Sequence, residues 1–166
     1  MNYTGTNTGP SPRADVWTAT IDLESGPDEV LRALTDPVAI AQWAPVSFEV
    51  DGLAGSRLRA GSRERVSGSI AGIRTTFEVE VRSADRERLE LTARGPVSLD
   101  VTYRFEEHDA GVRVDAQVGI QRQRGLTARL LRSAVGTLLN AGVLGSALRR
   151  LEASLSGPPE ANLLAA

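Results

Sequence analysis

The chain has 166 residues, a formal net charge of -2 and no cysteine. This length suits one domain with a sizeable core, and the acidic balance argues against a nucleic-acid partner. The lack of cysteine excludes disulfides, thiolate metal sites and a cysteine nucleophile, and the single histidine, His108, excludes a multi-histidine zinc site. We therefore expect neither a metal nor a cofactor.

The first predicted elements are a strand and two short helices. Apolar and polar residues alternate from Trp17 to Leu23, which is typical of a half-buried strand. The segment Ser25-Gly26-Pro27 ends that strand, and Pro27 suits the first turn of a helix. The dipeptide Asp36-Pro37 ends this helix and starts a second one, which continues in helical spacing until Pro45.

The middle of the chain predicts a ladder of strands joined by short turns. Each segment alternates apolar residues with polar or charged ones, the pattern of a sheet with one solvated face. Short turns between consecutive strands indicate an antiparallel sheet. The predicted strands cover residues 46–50, 58–66, 73–81, 89–93, 97–105 and 112–120.

One long helix is predicted to close the fold, from Leu126 to Leu155, with Thr127 as its cap. Its centre carries no charge and contains Gly136, Gly142 and a third glycine, although a helix lying on a sheet needs only one apolar stripe. Three interpretations remain open: a core helix also covered by loops, a lid over an apolar ligand, or a helix that packs in a homodimer or touches lipid.

The predicted domain organisation is simple. We expect a flexible polar leader at residues 1–13, a single domain at 14–156 and a flexible tail at 157–166. The leader lacks the apolar core of a signal peptide, and no apolar run reaches the length needed to span a bilayer. A cytoplasmic protein without stable membrane insertion is the resulting expectation.

Glu64 is the carboxylate that the strand pattern turns inward. Its neighbours Arg63 and Arg65 point outward, and Glu64 shares a face with Val66. A desolvated carboxyl group holds its proton more readily, which suits general acid or base work. The alternative is that a bulge or turn places Glu64 at the rim, in water or beside Arg74.

The second catalytic candidate is Tyr103, which can hold a ligand carbonyl or donate a proton, or can be an ordinary core tyrosine. The inward apolar positions facing a helix that contains glycines predict a cavity between the sheet and the final helix, which would bind a hydrophobic small molecule. Trp43 either lines the entrance of this cavity or plugs the small helices onto the sheet. The residues predicted to contact a ligand share inward positions on the strands or on the final helix: Trp17, Trp43, Phe48, Ser62, Thr75, Phe77, Leu91, Leu99, Val114, Leu131, Leu138 and Gly142.

Several short motifs resemble those of the SRPBCC superfamily, the START and Bet v 1-like helix-grip proteins, and in particular its polyketide cyclase/dehydrase branch. The motifs are Ile21-Asp22, Pro27-Asp28-Glu29-Val30, Leu34-Thr35-Asp36-Pro37, Trp43 with Pro45, and Gly111-Val112-Arg113-Val114. The resemblance covers residues 14 to 155. It implies an α+β helix-grip fold, in which a curved antiparallel sheet wraps around a long C-terminal helix with two short helices after the first strand.

Two classes of function follow from this resemblance. One is cofactor-independent cyclisation, aromatisation or dehydration of a poly-β-ketone-like substrate, with Glu64 and Tyr103 as acid or base groups. The other is a carrier or sensor of a lipid or another apolar small molecule. A third, weaker class is an accessory protein whose final helix mediates assembly.

Overall fold

A computed structural model of the chain describes residues 15–52 and 57–157. The predicted leader at 1–13 and residues 158–166 of the predicted tail lie outside the described residues. Within them the chain forms seven strands and four helices, in the order β1 (Asp15–Leu23), α1 (Pro27–Thr35), α2 (Pro37–Trp43), β2 (Phe48–Asp51), β3 (Arg63–Ile70), β4 (Ile73–Ala84), β5 (Arg88–Arg94), β6 (Ser98–His108), β7 (Gly111–Gln121), α3 (Leu126–Asn140) and α4 (Val143–Leu155).

The strands form one antiparallel sheet in the order β1-β7-β6-β5-β4-β3-β2, so the first strand of the sequence pairs with the last. The register keeps the predicted inward residues on one face, with Val66 opposite Phe77 and Val101 opposite Val118. On the other face, Arg63 lies 3.3 Å from Glu80. The α+β helix-grip architecture expected from the sequence is confirmed.

Local chemistry places the two small helices as predicted. Pro27 opens α1, followed by two acidic residues that favour the positive end of a helix. The Asp36 side chain accepts a hydrogen bond from the Val38 amide at 2.9 Å and thereby caps α2. The Trp43 indole N–H donates to the Ala33 carbonyl at 3.0 Å, which ties α2 to α1.

The prediction of one continuous final helix is wrong, because the chain breaks between α3 and α4. Gly142 has φ 84°, in the left-handed region that glycine adopts without steric cost. Gly125, and not Thr127, occupies the N-cap position of α3. At Gly136 an added Cβ would lie 3.8 Å from the Trp17 ring, an ordinary van der Waals contact, so the ring does not require glycine there.

The strand predicted to start at residue 58 begins later, at Arg63. Gly61, with φ 86°, turns the chain just before it, and the Ser62 hydroxyl accepts a hydrogen bond from the Arg59 amide at 2.9 Å. Ser62 is therefore part of this turn, not an inward position in a regular strand.

The core divides into two apolar clusters on the concave face of the sheet. The larger joins α1, α2 and α4 to the sheet and includes Leu23, Leu89 and Leu151. The smaller lies under α3 and includes Phe77 and Leu131. No helix among the described residues is long and apolar enough to cross a membrane.

Candidate functional site

A cavity of about 390 Å³ lies between the concave face of the sheet and the helices α2 and α3. Members of both core clusters border it, including Val118 from the larger and Val135 from the smaller. Pro45 and Val46, in the loop after α2, and Ile70, at the end of β3, contribute further apolar walls. Its volume falls within the range of small-molecule sites, about 300–1,000 Å³.

The chemistry of the cavity is almost wholly apolar. Among the described residues that line it, Glu64 carries the one charged side chain and Tyr103 the one hydroxyl. Trp43 adds an indole N–H, which already donates to a backbone carbonyl. A site of this composition suits a mostly apolar ligand that has few polar groups.

The alternation of side chains along β3 places Glu64 at the cavity wall. It lies on β3 opposite Val79, half-buried, while its neighbours Arg63 and Arg65 are exposed on the other face. Arg74, the rim partner considered from the sequence, lies 3.7 Å from Glu49 instead.

Tyr103 lies on β6 between Leu89 and Ala116 of the neighbouring strands, and its side chain is buried. Burial raises the pKa of Tyr103 to about 12, because desolvation disfavours the phenolate. At neutral pH the hydroxyl therefore keeps its proton and can act as a hydrogen-bond donor.

This shift predicts a loss of stability in alkali. The pKa of Tyr103 is higher in the folded state than the value of about 10 in the unfolded state. Its contribution to stability is therefore complete below pH 10 and is lost as the pH rises toward 12. As the pH rises from 10 toward 12, the wild type should therefore lose about 2–3 kcal/mol more of its free energy of unfolding than the Tyr103→Phe variant, which lacks the ionising hydroxyl.

The measurement is urea unfolding of both proteins across this pH range. The chain suits it, because it contains no lysine and no cysteine, and its other tyrosine is Tyr3. Parallel pH dependence in the wild type and the Phe variant would contradict the argument.

Glu64 and Tyr103 lie at separate places in the cavity. Two strands, β4 and β5, separate β3 from β6 in the sheet. Across the sheet, Glu64 pairs with Val79, Val79 with Ala93, and Ala93 with Leu99, which lies near the start of β6. Tyr103 lies further along β6. Each group can therefore contact a different part of one elongated ligand.

The structure brings together six of the residues predicted for the site. The cavity lining includes both catalytic candidates and four of the predicted ligand contacts. These six residues are Glu64, Tyr103, Trp43, Phe48, Leu99 and Leu138.

The other predicted contacts lie outside the cavity lining. Val114 and Leu131 are fully buried in the core, and Leu91 packs against the larger cluster. Gly142 forms the turn between α3 and α4, and Ser62 belongs to the turn before β3.

Thr75 and Phe77 are buried on β4, outside the cavity lining. A Cβ on Gly95 would come within 2.7 Å of the Phe77 ring, so the glycine leaves room for that ring. The Thr75 hydroxyl has no hydrogen-bond partner among the described residues.

Trp17 is not among the residues that line the apolar cavity; it borders an open groove between β1 and α3 and also packs against both core clusters. Its indole N–H donates to the Asn140 side chain at 2.7 Å, and the ring lies against Gly136. Asp15 and Arg132 form an ion pair in the same groove. The groove is more polar than the cavity, and its residues bond to one another.

Several lining residues were not among the predicted ligand contacts. Val50, Val66, Val101 and Val118 lie on the cavity wall, and the period-2 pattern that selected Phe48 and Leu99 places them on the same face. The contribution of the loop after α2 depends on how the chain folds over the sheet, which no local pattern encodes.

Comparison with known families identifies one match over most of the chain. The profile of the family described as polyketide cyclase / dehydrase and lipid transport matches residues 16–156. Comparison with curated proteins gives no match.

Solved structures share the architecture at low sequence identity. Protein CV1439 from Chromobacterium violaceum is 20% identical, with a TM-score of 0.63 over 84% of this chain and 96% of that chain. TTHA0849 from Thermus thermophilus is 22% identical, with a TM-score of 0.64 over 85% of this chain and 97% of that chain. DynU16, a protein of the dynemicin biosynthetic locus, is 20% identical, with a TM-score of 0.59 over 86% of this chain and 48% of that chain. These similarities show a common fold.

Proposed function

The chain belongs to the polyketide cyclase / dehydrase and lipid transport family, and from this membership we propose that it binds an apolar small molecule between the sheet and helices α2 and α3. The observation that carries the proposal is the cavity of about 390 Å³, whose described lining is apolar except at Glu64 and Tyr103. Burying apolar surface contributes roughly 25 cal/mol per Å². Such a wall therefore favours a ligand that is mostly hydrocarbon.

The test of this function is a pair of substitutions at one wall residue. Val101 lies on β6, lines the cavity and is half-buried. We expect Val101→Phe to fill part of the space and to weaken binding of the neutral apolar dye Nile red by at least about tenfold, the equivalent of about 1.4 kcal/mol. Val101→Ala enlarges the space and should retain binding.

Dye fluorescence measured against protein concentration gives both affinities, and circular dichroism shows that each variant is folded. Equal affinity of the Phe and Ala variants would place the dye elsewhere and would count against the cavity as the binding site. Failure of the wild type to bind any apolar probe would overturn the proposed function.

A second candidate function is cofactor-independent cyclisation, aromatisation or dehydration of a poly-β-ketone-like substrate. The observation that favours it is a carboxylate, Glu64, at the wall of an otherwise apolar space. In this hypothesis Glu64 removes a proton from a carbon between two carbonyl groups. The Tyr103 hydroxyl, which stays protonated at neutral pH, donates a hydrogen bond to a carbonyl in another part of the substrate.

In the enzymatic candidate function the cavity wall also orders the ligand. A shaped apolar wall that holds a flexible chain in one bent conformation lowers the entropy cost of ring closure. A carrier would use the same wall for affinity alone.

A cytoplasmic location, the absence of a nucleic-acid partner and homodimer formation remain predictions from the sequence.

A further inference from the structure

Building on the proposed function, we infer that the cavity selects ligands by the polar group at their end: it accepts an alcohol or an amine, which donates a hydrogen bond, and disfavours a carboxylate. The selecting residue is Glu64. The inference concerns which apolar molecules bind, and it applies to a carrier and to an enzyme alike.

The charge of the cavity wall disfavours a ligand carboxylate. Among the described residues that line the cavity, Glu64 is an acid and none is basic. A ligand carboxylate would therefore enter an apolar space that already holds one carboxyl group and offers no cation to pair with it. An uncompensated charge in such a space is costly, and a second charge of the same sign adds repulsion.

Three arginines of the neighbouring segments have partners other than Glu64. Arg63 lies 3.3 Å from Glu80 on the outer face, and Arg74 lies 3.7 Å from Glu49. Arg57 approaches the Thr35 hydroxyl at 3.4 Å. Glu64 itself forms no ion pair or side-chain hydrogen bond with another described residue, so its carboxyl group is available to accept a hydrogen bond from a ligand.

The remaining polar group of the cavity does not favour a carboxylate either. Tyr103 offers one neutral hydroxyl, separated from Glu64 by two strands. A carboxylate bound there would exchange its hydration for a single hydrogen bond in apolar surroundings, which does not offset its desolvation. Tyr103 suits a carbonyl or ether oxygen on the same ligand better than it suits a free acid.

The test uses three ligands with the same chain and different ends: decanol, decylamine and decanoate. Each ligand competes with Nile red for the wild-type protein, decylamine and decanoate below their critical micelle concentrations and decanol below its solubility limit. We expect decanol and decylamine to bind at least about tenfold more tightly than decanoate. Both can donate a hydrogen bond to the Glu64 carboxyl group, and a hydrogen bond to a charged group contributes enough free energy for a tenfold difference in affinity.

Glu64→Gln supplies the second comparison, and Glu78→Gln on the exposed outer face of β4 is the matched control. In the Glu64→Gln variant, decanoate should gain affinity and decylamine should lose it, whereas the control should keep the wild-type order. The wild-type ranking alone decides the question if the Glu64 variant does not fold.

Three outcomes would overturn the inference, and they are distinguishable. If decanoate binds the wild type as tightly as decanol and decylamine do, the selection is absent while the proposed function stands. If none of the three ligands nor the dye binds, the proposed function fails and the selection fails with it. A ranking that Glu64→Gln leaves unchanged would assign any selectivity to another residue and would also overturn the role of Glu64.

Discussion

Gly111→Ala is expected to remove on the order of 3 kcal/mol or more from the free energy of unfolding. Gly111 closes the turn between β6 and β7 with φ 146°, a conformation that side chains rarely adopt. A Cβ there would lie 1.9 Å from the carbonyl oxygen of Leu23 at the end of β1. Leu23 is buried in the larger core cluster, so the end of β1 has little room to move away.

The matched control is Gly72→Ala in the turn between β3 and β4. Gly72 also has positive φ, at 79°, but nothing lies within 4 Å of the position of its added Cβ. We expect it to cost about 1 kcal/mol, the conformational contribution alone. Urea unfolding of the three proteins measures both losses, and equal losses would show that the contact with Leu23 contributes nothing.

For the enzymatic candidate, Glu64→Gln is expected to lower turnover of a poly-β-ketone-like substrate by about 10²–10⁴-fold. The substitution preserves the size of the side chain and its hydrogen bonding, but the amide cannot exchange a proton in this role. Single-turnover kinetics separates the chemical step from binding, so a change in ligand affinity would not be mistaken for a change in catalysis.

The outward Glu78→Gln variant controls for the loss of one negative charge from the sheet. Unchanged single-turnover rates in Glu64→Gln would end the acid or base role of Glu64 and leave Tyr103 as the remaining candidate. A carrier, by contrast, should tolerate the Glu64 change without any loss beyond its effect on ligand selection.

The sheet was predictable because its signal is local. Side chains alternate between the two faces at every residue, so the pattern from Phe48 to Ile120 indicated which residues face inward before any pairing was known. The same rule indicated that Glu64 faces inward between two exposed arginines, and the structure places it at the cavity wall.

Features that depend on three-dimensional packing were harder to predict. The break at Gly142 follows from a single left-handed residue, whereas the glycine alone was also compatible with a continuous helix. Trp43 lines the cavity and Trp17 does not. Both tryptophans lie in apolar sequence patterns, so this difference depends on the path of α3 and could not be seen in the sequence. Val114 and Leu131 have the same inward pattern as the cavity residues, and only packing determines that they are fully buried.

The two tryptophans allow the most direct test of the central claim, that an apolar ligand occupies the cavity. Trp43 lines the cavity and its indole N–H donates to Ala33, whereas Trp17 lies outside it and donates to Asn140. The measurement is a nitrogen–proton correlation spectrum of the labelled protein, recorded while decanol is added. We predict that the Trp43 indole signal moves in a saturable way together with the amide signals of Val101 and Val118, while the Trp17 indole signal stays in place. Saturable movement of the Trp17 signal with an unmoved Trp43 signal, or no saturable movement at all, would contradict the account.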